Sequence, residues 1–133
     1  CHQEIRNKLY EWGVNKSIGD EIIVQLIEAN FLNEERFAQT FARGKFRIKH
    51  WGRVKITNEL KKRNISDYCI QRALLEIDEG DYLQTIREVL EKRKIILKEE
   101  DGFKQKQKLV MYLISNGFES DLVWNLLNDN YSY

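Results

Sequence analysis

Arg36, Arg43 and Arg47 are separated by seven and four residues, a spacing that sets three guanidinium groups within about 40° on one helix face. Guanidinium forks suit phosphate or carboxylate oxygens, which they can engage two at a time. Arg36 has a structural alternative, an ion pair with a nearby Glu. The stripe belongs to a wider concentration of charge. From Arg43 to Arg63 the chain carries nine basic residues against one carboxylate, Glu59, although the 133-residue whole is formally only +1. The remainder holds 13 basic and 20 acidic residues, so a +8 stretch sits in a body of −7. Such asymmetry points to a polyanion-facing surface, usually for nucleic acid, with a solvated pair of helix faces as the plainer alternative. Phe46 and Trp51 add stacking or docking surface beside the cations. Lys55 and Lys62 align on a second helix, and Trp51 and Gly52 mark the joint, where the indole is either a lid on the core or an exposed anchor.

Catalysis has little material. His2 and His50 are the only histidines, no Ser or Cys nucleophile has a base in a recognisable arrangement, and no Gly-rich phosphate loop is present. His50 reads as a member of the basic patch. The acidic groups Asp78, Glu79, Asp81 and Glu99, Glu100, Asp101 lack metal-ligand spacing. A non-enzymatic protein without metal or cofactor is expected.

The elements that must hold these residues are helices. Proline is absent, and Gly or Asn stand at turn stations: Gly13, Asn30, Gly52, Asn64, Gly80, Gly102 and Gly117. Between them apolar residues keep a helical period, as in Phe37, Ala38, Phe41, Ala42 and in Ile70, Ala73, Leu74, Ile77. The pattern predicts about eight helices: 2–12, 20–29, 33–50, 53–63, 66–78, 82–98, 103–116 and 119–129. Asp20, Asn33, Ser66 and Asp81 are the candidate N-caps. With 42% hydrophobic residues the chain can bury a real core, while its apolar runs are far too short to cross a bilayer. No signal peptide opens it, so a soluble, cytoplasmic protein is expected. Cys1 and Cys69 make neither a disulfide framework nor a metal cluster, and Cys69 reads as a small core residue. A first residue other than Met suggests a fragment whose N-terminus lies upstream.

The chain also repeats itself. Residues 5–14 (IRNKLYEWGV), 56–65 (ITNELKKRNI) and 109–118 (LVMYLISNGF) align with Leu9, Leu60 and Leu113 in register, at spacings of 51 and 53. Lys45 then falls opposite Arg93 and Phe41 opposite Val89 in the long helices. A period near 50 residues argues for a modular array. The expected fold is all-α, with tandem three-helix repeats forming a short, curved helical array: 1–30 a truncated first repeat, 31–80 a second carrying the basic segment, and 81–133 a third. Helices 53–63 and 66–78 imitate a helix-turn-helix, yet the would-be recognition helix carries Asp67, Glu76 and Asp78, which argues against duplex reading.

The segment from Asn30 to Arg43 (NFLNEERFAQTFAR) resembles the signature of the RecX family, regulators of the bacterial RecA recombinase: an acidic pair, Arg, an aromatic and Ala, here Glu34, Glu35, Arg36, Phe37 and Ala38. The run from Trp51 to Ile56 (WGRVKI), the opening Glu4 to Leu9 (EIRNKL) and the stretch from Lys108 to Phe118 are similar to further family motifs, so the resemblance covers nearly the whole chain. The family is often more basic than this near-neutral chain.

The resemblance implies a monomeric modulator that binds the RecA filament on single-stranded DNA and suppresses its ATPase, strand-exchange and co-protease activities, away from any membrane. By that analogy Arg36, Arg43, Lys45, Arg47, Lys49, Trp51, Arg53, Lys55 and Lys62 are the candidate contact residues. Two other classes stand beside it: a single-stranded nucleic-acid-binding helical module, and a protein-interaction scaffold anchored by Phe46 and Trp51. Salt dependence separates these two.

Overall fold

The computed structural model describes residues 4–5 and 16–131. Six helices follow from Lys16: α1 (Lys16–Lys49), α2 (Arg53–Lys62), α3 (Asp67–Leu75), α4 (Glu79–Ile96), α5 (Gly102–Ser115) and α6 (Ser120–Tyr131). No strand occurs among the described residues. The expected helix 2–12, the turn at Gly13 and the register residue Leu9 lie outside them. Two compact units divide the chain, Cys1–Phe37 and Ala38–Tyr133. In the first, Ile23 is buried while Val24 and Leu32 are exposed.

The expected helices 20–29 and 33–50 are one helix of 34 residues. Asn30 and Asn33 each cost only a fraction of a kcal/mol inside a helix, and no Gly or Pro lies between Asp20 and Arg43 to stop propagation. Asp20 and Asn33 are therefore interior residues of α1, not caps. Gly80 likewise lies within α4 instead of in a turn. That helix is capped by Asp78, whose carboxylate accepts from the Asp81 N–H at 3.0 Å, so Asp81 receives the cap it was expected to provide. Ser66 does cap α3, accepting from the Cys69 N–H at 3.3 Å, and Asp101 caps α5, accepting from Lys104 N–H at 2.9 Å.

Two helix ends share one design. At the end of α2, Asn64 (φ 60°) turns the chain while Ile65 N–H bonds to Leu60 O (3.1 Å) and Asn64 N–H to Lys61 O (3.0 Å). At the end of α5, Gly117 (φ 93°) does the same, with Phe118 N–H on Leu113 O (3.2 Å) and Gly117 N–H on Ile114 O (2.9 Å). Both are Schellman caps, 53 residues apart. The buried positions keep that register, Ile56 with Leu109, Leu60 with Leu113 and Ile70 with Val123. The architecture of tandem three-helix repeats follows from this shared pattern.

A single core runs through the second unit. Ala38, Ala42 and Phe46, four residues apart on α1, pack with Ile56, Leu60, Ile70, Ala73, Ile86, Leu90, Leu109, Leu113, Val123 and Leu127. Ring contacts link Phe46 to Tyr82 at 5.8 Å and Tyr82 to Phe118 at 5.7 Å, joining elements of both repeats. Phe46 is 7% exposed and thus a core residue, which removes it as a docking anchor: its four-residue spacing from Ala42 puts it on the buried face. Cys69 is a buried free thiol in the same core.

Candidate polyanion-binding surface

The C-terminal third of α1 buries the stripe Ala38, Ala42, Phe46, and that stripe separates the predicted cations into two flanks. On one flank Lys45 and Lys55 meet over Trp51. The Lys45 Nζ lies 4.9 Å and the Lys55 Nζ 4.5 Å from the indole centroid, so one half-buried ring is approached by two ammonium groups from successive helices. Trp51 also stands edge-on to Phe41 at 6.1 Å, and the Arg63 guanidinium lies 4.8 Å over the Phe41 ring. An open groove of about 240 Å³ continues along α1 past Thr40, Phe41, Gly44, Lys45, Ile48 and Lys49. Trp51 is therefore both lid and exposed edge.

On the other flank, Arg43 and Arg47 border a narrower cleft of about 140 Å³ whose far side is Glu76, Asp78 and Asp81. Among the described residues neither arginine forms an ion pair within bonding distance. Three carboxylates across the cleft nonetheless lower the positive potential there, since charges a few ångströms apart partly cancel for an approaching anion. Arg36, on the same helical stripe, belongs to the first unit and is exposed. Lys62 is well exposed and paired with Glu59 at 3.2 Å. Hydrogen bonds from Lys62 and Arg63 hold the Glu59 carboxyl below its usual range.

Arg53 has a different placement from its basic neighbours. Its Nη1 bonds Glu119 at 2.8 Å, its Nη2 bonds Glu79, and its guanidinium stacks 3.8 Å over the Tyr82 ring. The Arg53 N–H donates to the Tyr82 hydroxyl at 2.9 Å, and that hydroxyl donates to Glu119. Burial alone would lower the arginine's pKa, but the bonds to Glu119 and Glu79 outweigh it and raise it. Because Gly52 offers no capping side chain, the first amides of α2 find tertiary partners instead, Arg53 on Tyr82 and Val54 N–H on Gly117 O at 2.9 Å. Arg53 thus ties the basic segment to the third repeat, and its placement makes it a positioning residue.

Burial, reinforced by the hydrogen bond to Glu119, pushes the Tyr82 phenol far above its usual value near 10. A raised folded-state pKa means that this hydroxyl's contribution to stability is whole below about pH 10 and declines as pH rises beyond it. The stability difference between the native chain and Tyr82→Phe is expected to be constant from pH 7 to 9 and to shrink above pH 10. Urea midpoints measured across that range check this, and a difference that stays flat to pH 11 contradicts it.

The candidate contact residues left out Arg63, whose place over Phe41 follows the α2 Schellman turn, and Arg93, which lines one pocket with His50, read from the sequence only as part of the basic patch. The Lys45–Arg93 correspondence between repeats was the one signal for Arg93. No helix among the described residues is long and apolar enough to cross a membrane.

Comparison with known proteins completes the description. A family model described as "RecX, second three-helix domain" matches residues 33–74, and one described as "RecX, third three-helix domain" matches residues 79–127. The regulatory protein RecX of Clostridium perfringens strain 13 is 34% identical over 135 residues, covering 97% of this chain and 63% of the relative. That of Prosthecochloris aestuarii is 28% identical, covering 96% of this chain and 82% of the relative. The crystal structure of RecX from Lactobacillus salivarius superposes with a TM-score of 0.71 at 20% identity, over 96% of this chain and 83% of that one, which shows a shared fold. The chain spans just under two thirds of the length of its clostridial relatives.

Proposed function

Because the chain belongs to the RecX family of regulatory proteins, we propose that it is a non-enzymatic, cytoplasmic regulator that binds the RecA filament on single-stranded DNA. There it lowers ATP hydrolysis, strand exchange and cleavage of the SOS repressor, acting as a monomer whose repeats are 31–80 and 81–133. The observation that carries the reading is the cation-flanked indole: Lys45 and Lys55 over Trp51 give a polyanion both charge and a stacking edge. Arg43, Arg47, Lys49 and Lys62 extend that contact surface, Arg36 is a further contact residue on the first unit by family analogy, and Arg53 holds the joint in place. The acidic remainder of the chain suits contact with basic protein surface, so a filament of protein and nucleic acid can meet both signs of charge.

The test is steady-state ATP hydrolysis by a bacterial RecA recombinase on saturating single-stranded DNA, titrated with this chain well below one copy per recombinase. Hydrolysis is expected to collapse at those ratios. The same indole also favours a second reading, a plain single-strand-binding module. That reading predicts a fall only when enough protein is present to coat the DNA, with log affinity declining against log salt by roughly 0.7 per phosphate contact. Unchanged hydrolysis at every ratio would remove the regulatory reading for this chain.

A further inference from the structure

The end of α1, the last two turns of α4 and the end of α5 border a pocket of about 260 Å³ that shares only Lys49 with the surface described above. Its polar lining is Lys49, His50, Lys92, Arg93, Tyr112 and Asn116, completed by aliphatic Val89 and Ile96. No carboxylate lines it, in a chain where Asp and Glu nearly equal Lys and Arg in number. Two of the lining residues carry a buried nitrogen with no hydrogen-bond partner, His50 Nδ1 and Arg93 Nε. A buried polar atom left without a partner costs about 1–3 kcal/mol, so native proteins satisfy such atoms with protein, water or an ion. Both residues line this pocket, so a small movement of either side chain would bring its unpaired nitrogen to a group held there.

The backbone and the stacking both hold these side chains in place. His50 sits at φ 58°, a left-handed conformation that histidine tolerates better than most residues, with its N–H still bonded to Phe46 O at 3.1 Å. The Arg93 guanidinium lies 4.3 Å over the Tyr112 ring, which orients it at the pocket wall. Two lysines, one arginine and an imidazole around a site of this size match a tetrahedral oxyanion with several acceptor oxygens better than a single carboxylate, which one arginine fork would satisfy. His50 does border Asp81 and Glu88 on its other side, in a separate groove shared with Phe46 and Arg47.

We propose that this pocket is an oxyanion site that takes one phosphate group between the second and third repeats. Lys49 also lines the groove beside Phe41, so the pocket lies at the end of the cationic flank. The phosphate can belong to a nucleic-acid backbone or be free, and the experiment distinguishes the sources. It stands whether or not the chain regulates a recombinase.

His50 is one of two histidines, so its imidazole resonance in the full chain reports the site directly. Titration with inorganic phosphate and, separately, with a thymidine oligonucleotide is expected to move that resonance saturably, while sodium chloride at matched ionic strength does not. Response to the oligonucleotide at much lower concentration assigns the site to a backbone phosphodiester, and response to phosphate alone assigns it to a free phosphate. The exposed-side variants Lys49→Gln and Lys92→Gln should each weaken the response by about tenfold, roughly one lost charge-assisted bond, with the melting temperature unchanged. Arg93→Lys keeps the charge but loses the fork, and should weaken it further. A His50 resonance that neither phosphate source moves, or that chloride moves equally, overturns the proposal.

Discussion

If the chain inhibits a recombinase as proposed, reversing Lys45 and Lys55 together to Glu is expected to raise the concentration of this protein needed for half-inhibition by about 100-fold or more, whereas the same reversal at Arg43 and Arg47 should change it by about tenfold at most. Both pairs carry the same formal charge and lie on the same basic segment. They differ in surroundings. Lys45 and Lys55 share Trp51 with no carboxylate in the adjoining groove, while Arg43 and Arg47 already face Glu76, Asp78 and Asp81 across their cleft. An anion gains most where positive charge is uncompensated and an aromatic edge lies beside it. About 2.7 kcal/mol separates binding constants 100-fold apart, a plausible total for two phosphate contacts turned repulsive. Each lysine also contributes a cation–π contact of about 0.5–1 kcal/mol to local stability, so Lys45→Gln with Lys55→Gln, followed by circular dichroism, controls for unfolding. Equal loss from both pairs, or the greater loss from the arginines, would refute the assignment of the contact to the Trp51 flank.

Gly52→Ala should destabilise the protein by about 3–5 kcal/mol, in the range reserved for severe steric conflict. The backbone angles at Gly52 (φ −79°, ψ 170°) suit alanine, so conformational strain is not the cause. A Cβ there would instead stand 2.2 Å from the carbonyl carbon and oxygen of Gly117. Those atoms are backbone in a Schellman turn and cannot rotate away. The joint would have to open, with loss of the bonds from Gly52 N–H to Asn116 O (2.7 Å) and from Val54 N–H to Gly117 O (2.9 Å), and with strain on the Arg53–Glu119 pair. Gly117→Ala meets the Lys55 Cβ at 2.3 Å and adds the cost of a left-handed φ of 93°. Gly44→Ala is the control, because its added methyl meets nothing within 4 Å beyond its chain neighbours and its own helix's backbone, and a helical glycine is replaced by a better helix former. Urea denaturation of the three variants decides the matter. A Gly52→Ala loss below about 1 kcal/mol would mean that the second and third repeats are not locked at this joint. Inhibition by that variant should fall in parallel, since the joint sets where Lys55 stands relative to Lys45.

Much of this protein is written in short-range patterns. Apolar spacing marks the buried face of each helix because helical period is local, and the 53-residue register of Leu60 with Leu113 appears in the fold as matched buried positions and matched Schellman turns at Asn64 and Gly117. Ser66 is recognisable as a cap because capping needs only three following residues. Where local signals were weak the reading failed. Asn30 and Asn33 resemble breaks, yet with no Gly or Pro beside them the helix runs on from Lys16 to Lys49.

The charge concentration from Arg43 to Arg63 is likewise a property of the sequence alone, as are the family motifs around Glu34 to Ala38. What each cation does was decided only by tertiary structure. Arg53 and Lys55 are two residues apart; one is held by Glu79 and Glu119, the latter 66 positions away, and the other lies over Trp51. Arg43 and Arg47 acquire opposing carboxylates more than 25 residues downstream, and His50 acquires Arg93 as a neighbour in its pocket through the packing of α4 against the end of α1. Charge and periodicity are additive along a chain and survive in one dimension. Compensation of charge falls off with distance in space, and distance in space is settled only when the helices pack.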